Sequence, residues 1–320
     1  MDMRVIISQM AVLFILIAAG YICGKIRMLT AEGVRVLSKV VINISTPSTI
    51  LNSVLSDTGN ITGGKTAYFV LLVLLAYALF FLIALPASRV LAASERLDME
   101  CGVLNSGSGN KNGGLYASMI VFGNVGFMGF PIALAIFGAQ SAFYVALVNV
   151  IFNILSFSAG IVLISGKGGK INLRVLLNAT LVASCISFII VFTDFRAPSI
   201  ITDTVRLAGG INTPCAMLVI GATLSQVPVK DVFTKWRLYP VALLKVIVAP
   251  VLTWIIFRQF VTDGMLLGVL TVLSGMPIAA AVAMISIEYG GDERIASSGV
   301  FLTTLLSGVT IPLIVYVLLL

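Results

Sequence analysis

Ten apolar runs, each about as long as a bilayer is thick, follow one another along these 320 residues. They cover residues 3–23, 34–55, 66–92, 115–137, 140–164, 173–193, 204–225, 237–262, 264–288 and 294–319, with short polar connections between them. A helix needs about 20 apolar residues to cross the ~30 Å hydrocarbon core. Inside that core each backbone N–H and C=O must be satisfied within the protein, and a helix does so within one segment. The runs therefore predict an all-α polytopic membrane protein with ten transmembrane helices in a lipid bilayer. Composition agrees: the chain is 59% hydrophobic and 10% charged, against about 25% charged in a soluble domain. The first run is longer than the apolar core of a signal peptide. It passes into Gly24-Lys25-Ile26-Arg27 without a small-residue cleavage pattern, so it is expected to be the first span.

Several chemistries are excluded by what is missing. The chain has no His, which removes His-dependent proteases, haem sites with His ligands and most zinc enzymes. Cys23, Cys101, Cys185 and Cys215 show no paired spacing and read as small apolar residues rather than metal ligands. The net charge of +7 fits cationic cytoplasmic loops better than nucleic-acid binding. The longest connection, residues 94–114, is a polar Gly/Ser/Asn linker without a phosphate-binding motif. Asp292 lacks a second intramembrane Asp, so an aspartyl protease is not expected. No enzyme and no bound cofactor is predicted.

The two halves repeat. Asn43-Ile44-Ser45-Thr46-Pro47 in the second span matches Ile211-Asn212-Thr213-Pro214 in the seventh. Gly129-Phe130-Pro131-Ile132-Ala133 in the fourth matches Gly275-Met276-Pro277-Ile278-Ala279 in the ninth, and Pro86 and Pro250 mark the third and eighth. The first and second proline pairs have nearly equal offsets. The pair in spans four and nine is closer by about the length of loop 94–114, which the second half lacks. Residues 1–165 and 166–320 thus read as two five-span repeats, and an odd number of spans makes the second inverted. Each Gly-x-Pro is expected to break its helix at Pro131 and at Pro277, giving crossed broken helices four and nine. Non-helical backbone at that depth is tolerated only where it is buried or lines a cavity, and exposed half-helix N-termini suit an anion.

Candidate substrate ligands follow from nearness to those breaks: Asn124, Gly129, Pro131, Thr271, Ser274, Gly275 and Pro277. Lys245, the only cation well inside a span, is a candidate for drawing in the anion, with snorkelling to an interface as the plain alternative. Asn43 and Asn212 either line the cavity or cap the broken turns. Glu288 closes the ninth span and is the coupling or gating candidate. Asn149 and Asn153, four residues apart, share a helix face and read as helix–helix hydrogen bonding. No carboxylate lies mid-span, so a proton relay is not expected. That leaves uniport, or coupling to Na⁺ held by carbonyls and hydroxyls near the two prolines.

The segments Phe122-Gly123-Asn124-Val125-Gly126-Phe127-Met128-Gly129-Phe130-Pro131 and Glu288-Tyr289-Gly290-Gly291-Asp292 resemble the auxin efflux carrier family. That family belongs with the bile acid/sodium symporter-like transporters, and Lys245 followed by Pro250 is similar to its span-eight pattern. The short centre, Ser165-Gly166-Lys167-Gly168-Gly169-Lys170, is similar to bacterial members. One departure is Asn178-Ala179, where many relatives have Asn-Pro. The resemblance implies a scaffold domain and a transport domain, each drawn from both repeats, and elevator-type alternating access. It implies a small organic anion such as malate, malonate or an auxin-like acid, with Asn124 as a substrate contact in a bacterial plasma membrane. An anion channel and a transporter-like sensor are the competing readings, and the assembly is left open between monomer and homodimer.

With the N-terminus outside, the inner loops hold fourteen of the twenty Lys and Arg, the outer loops five, and Lys245 lies within a span. The positive-inside rule then places both termini outside. Cysteines introduced near residues 2, 60 and 320 should react with an impermeant thiol reagent on intact cells. Outside labelling of residue 168 with residue 60 protected would contradict this orientation.

Overall fold

The computed structural model describes residues 3–55, 63–100, 112–165, 179–193 and 197–319. Linker residues 105–111, the central stretch 166–170, Cys101 and Asn178 lie outside the described residues. Among those described, the chain is helical apart from one isolated antiparallel bridge. The helices begin with α1 (Met3–Lys25) and α2 (Ala31–Val40), which runs through a π-helical turn, Val41–Ser45, into α3 (Thr46–Leu55). Then come α4 (Gly63–Glu100) and α5 (Asn112–Val121), followed after a break by a π-helical turn, Val125–Gly129, and α6 (Phe130–Phe137). Next are α7 (Ser141–Leu155), continued through Ser156–Gly160 into α8 (Ile161–Ser165), and α9 (Ala179–Thr193). They are followed by α10 (Ser199–Gly210), α11 (Asn212–Leu224) and the short α12 (Val229–Thr234). Last come α13 (Leu238–Leu243), continued through Leu244–Val248 into α14 (Ala249–Phe257), then α15 (Gly264–Ser274), α16 (Ala280–Tyr289) and α17 (Glu293–Ile314).

Among the described residues, six helical stretches are long and apolar enough to cross a membrane: Ile7–Lys25, Gly64–Glu95, Ser141–Ser165, Ser199–Leu224, Leu238–Phe257 and Glu293–Leu319. Their outward faces carry large exposed apolar side chains such as Leu82, Leu207 and Val309, a surface that lipid solvates and water does not. The helices α15 and α16 are half-length. At 1.5 Å per residue they reach roughly 16 Å and 15 Å, so neither crosses alone and the two cross only end to end.

Proline explains three of the π-helical turns. Pro47, Pro131 and Pro250 each stand two residues after such a turn. Proline has no N–H and its ring presses on the carbonyl one turn back; a turn widened to i→i+5 relieves that contact. Helix ends are marked by capping side chains. Asp263 Oδ1 accepts from the N–H of Met265 (3.0 Å) and starts α15, and Asp292 Oδ1 accepts from Ile295 (3.0 Å) and starts α17. Gly290, at φ 78°, ends α16 in the left-handed conformation that favours glycine. The Glu288–Asp292 motif is thus a helix stop followed by a helix start.

The helices pack in two groups. One holds α1–α3 and α9–α11; the other holds α4–α8 and α13–α17. In the first, α1 and α11 touch main chain to main chain. A Cβ on Gly221 would meet the backbone of Ile17 and Tyr21, and one on Gly20 would meet that of Leu218. Such close approach is what joins helices when the solvent is itself apolar.

The second group is organised by two breaks that lie against each other. Residues 122–124 interrupt the α5–α6 rod and residues 275–279 separate α15 from α16. Gly123 and Ile278 face each other as an antiparallel pair. The N–H of Asn124 donates to the carbonyl of Pro277 (2.7 Å) and that of Ala279 to the carbonyl of Phe122 (3.0 Å). The N–H of Ile278 donates to Thr303 Oγ1 of α17 (3.0 Å). The first break therefore falls seven residues before Pro131. Pro131 sits at the start of α6, where its missing N–H does no harm, while Pro277 falls within its break.

Thr303→Val should leave the Ile278 N–H buried and unpaired, at about 1–3 kcal/mol. Thr304→Val loses only a bond to Val300 O in its own helix and should cost less than about 1 kcal/mol. Thermal unfolding of both in one detergent checks this; equal losses would contradict the role of Thr303.

Candidate substrate site at the paired helix breaks

A cavity of about 120 Å³ opens where the two packing groups meet. The first group contributes Ile42, Thr46 and Thr180, and the second contributes Asn124, Phe127, Asn149, Asn153 and Met284. No charged residue among the described residues lines it. Its polar character comes from Asn and Thr side chains and its remaining wall is apolar, with Phe127, Phe152 and Met284.

The cavity also receives two helix starts. Asn124 is the N-cap of the rod that resumes at Val125, its Oδ1 accepting from the N–H of Phe127 (3.2 Å). No described residue takes its Nδ2, which remains a donor at the cavity wall. On the facing break, Ala279 is the N-cap of α16 in extended conformation and offers no side-chain cap. Ala280 and Ala281, the first residues of α16, line the cavity. First-turn N–H groups have no partner within their helix, and each helix start carries roughly half a positive charge. A cavity without cationic side chains thus has two positive ends directed at it, an arrangement that binds anions.

The residues singled out from sequence separate into distinct places. Asn124 lines the main cavity, at the break itself. Gly129 and Pro131 are buried further along, and a Cβ on Gly129 would lie 3.0 Å from Leu273 Cδ2. Pro277 contributes its carbonyl to the bridge, and Gly275 packs on Pro250. Thr271 is fully buried within α15. Ser274 and Lys245 line a second cavity of about 20 Å³, beside Gly123. Asn212 is buried and accepts from Thr46 Oγ1 (3.0 Å), tying α11 to α3 behind the main cavity. Asn43 is exposed, its Nδ2 donating to Lys39 O (3.0 Å) in its own helix. Glu288 is exposed on the last turn of α16.

Asn149 and Asn153 read from sequence as helix–helix hydrogen bonding, and the structure places them on the cavity wall. The hydrogen bond between their residues, Asn153 Nδ2 to Asn149 O (2.8 Å), runs within α7 rather than to another helix. Two amides on one face of an apolar helix were the available signal. Thr46 and Thr180 come from the other packing group, and nothing in their local sequence marks them.

Comparison with known proteins places the chain in a transporter family. The family described as membrane transport protein matches residues 5–176 and 169–315. An uncharacterized transporter of Methanocaldococcus jannaschii is 26% identical over 310 residues, 94% of this chain and 95% of its own. An uncharacterized transporter of Methanothermobacter thermautotrophicus is 25% identical over 303 residues, 93% of this chain and 94% of its own. A Rhizobium meliloti protein named as a candidate malonate transporter is 25% identical over 206 residues, 61% of this chain and 64% of its own. The chain, a multi-pass helical membrane protein, belongs to the membrane transport protein family, that of the auxin efflux carriers.

Proposed function

We propose that the protein is a secondary carrier of a small organic anion, a carboxylate such as malate, malonate or an auxin-like acid. The observation that carries the reading is the main cavity, uncharged along its lining yet facing two helix starts. A carboxylate placed there accepts from the first N–H groups of α16 and from Asn124 Nδ2. Its organic body lies against Phe127, Phe152 and Met284. The similarity to a protein named for malonate transport supports a carboxylate.

In this reading the ten apolar runs form two inverted five-helix repeats. The group α1–α3 and α9–α11 is the scaffold, and α4–α8 with α13–α17 is the transport group that moves as an elevator. The cavity lies between the two groups, so sliding one past the other carries the anion from side to side. The membrane is a bacterial plasma membrane with both termini outside. The anion gradient and the membrane potential drive transport.

Asn124 separates this reading from its competitors. Asn124→Ala removes one donor to a charged group, a hydrogen bond of roughly 1.5–3 kcal/mol, so affinity should fall about tenfold to a hundredfold. Asn124→Asp keeps the oxygen that caps Phe127 but turns the donor into a negative group, and binding should be lost. Calorimetry with mono- and dicarboxylates, and counterflow in proteoliposomes, measure both. Wild-type affinity in both folded variants would remove Asn124 from the site. Binding without counterflow would favour a sensor, and conductive flux without counterflow a channel.

A further inference from the structure

Lys245 is the most deeply buried charged side chain among the described residues, at 1% exposure. Its Nζ donates to the carbonyl of Val121 (3.3 Å), the last residue of α5. It stands 5.4 Å from the centre of the Phe80 ring. It also lies against Gly123, where an added Cβ would fall 3.1 Å away. The ion pairs Arg35–Glu32, Lys65–Asp263 and Arg206–Asp203 are all exposed, and none includes it. The cavity beside it, about 20 Å³, has room for about one water-sized group and none for an organic acid.

An ammonium in so apolar a place is costly unless something negative faces it. No carboxylate of the described residues does, but two helix ends do. The helix α5 ends at Val121 and α15 ends at Ser274, and both residues line the small cavity with Lys245. A helix C-terminus carries roughly half a negative charge and carbonyls without intrahelical partners. Pairing the breaks antiparallel brings the two positive ends to the large cavity and the two negative ends to Lys245. In carriers built from broken helices, such carbonyl ends are where a coupling cation is held.

Extending the carrier reading above, we infer that Lys245 is a built-in counter-cation: its ammonium occupies the cation place at the two half-helix C-termini, so no free Na⁺ is required. Lys245 is then a positioning residue. It neutralises the ends that would repel an anion across the bridge, and it does not touch the substrate.

Thermal unfolding of the purified protein without any organic anion tests the assignment. Wild type, Lys245→Ala and Lys245→Met are compared in choline, sodium, ammonium and methylammonium chlorides at one ionic strength. Wild type should be indifferent to the cation. Lys245→Ala should be less stable in choline and recover at least half of its loss in ammonium or methylammonium. Lys245→Met fills the space without charge and should not be rescued. A Lys245→Ala protein indifferent to the cation, or a wild type stabilised by Na⁺, would overturn the inference. A second measurement needs no variant: carboxylate uptake into proteoliposomes at clamped potential should differ less than twofold between sodium and choline media. A tenfold loss in choline would overturn it. No uptake in any medium would overturn the carrier reading instead and leave the stability comparison to decide on Lys245.

Discussion

Two main-chain hydrogen bonds, Asn124 N–H to Pro277 O and Ala279 N–H to Phe122 O, hold together what the rest of the molecule is arranged around. Interrupting a helix inside a bilayer frees backbone groups that lipid cannot satisfy. Interrupting two helices side by side lets each break satisfy the other. The constraint then spreads outward. Gly123 must be small because Lys245 lies against it. Phe122 is wedged edge-on against Phe81 and Phe152, with ring centres 6.1 Å and 6.0 Å away. Thr303 must present its hydroxyl to Ile278.

The pairing also sorts charge without using charged ligands. Four helix ends meet at the bridge, two of each sign. Those of one sign face a cavity with room for a small organic molecule, and those of the other face a lysine. A fixed dipole of this kind is preorganised, and in the proposed reading it needs no rearrangement to meet an anion. It also lets the cavity lining stay neutral, so no side-chain charge has to be held unpaired there.

Much of this was legible in the sequence, and the losses have physical reasons. The paired Gly-x-Pro motifs marked the two helices that break, because proline removes a donor wherever it falls. They misplaced the first break, since Asn124 can cap a helix and Pro131 is tolerated at a helix start once a π-helical turn precedes it. In the second half no capping side chain stands near, and the break stays at Pro277. Asn43 and Asn212 match in sequence but not in place: Asn43 lies in a π-helical turn, whose extra residue rotates the helix face, and it is exposed, whereas Asn212 is buried. Sequence left Lys245 open between a cavity and an interface and could not place it at the bridge, because its place is set by pairing between residues more than 100 positions apart. Thr46 and Thr180 reach the cavity for the same long-range reason.

The central claim is that the paired helix starts, and not the buried lysine, receive the anion. Diffraction from crystals soaked with a bromine-labelled monocarboxylate, read at the bromine edge, locates the ligand directly. The account predicts bromine in the large cavity near Phe127 and Met284, with the carboxylate against Ala280, Ala281 and Asn124 Nδ2. A carboxylate bound at Lys245, or a bromine site elsewhere with the large cavity unoccupied, would contradict it.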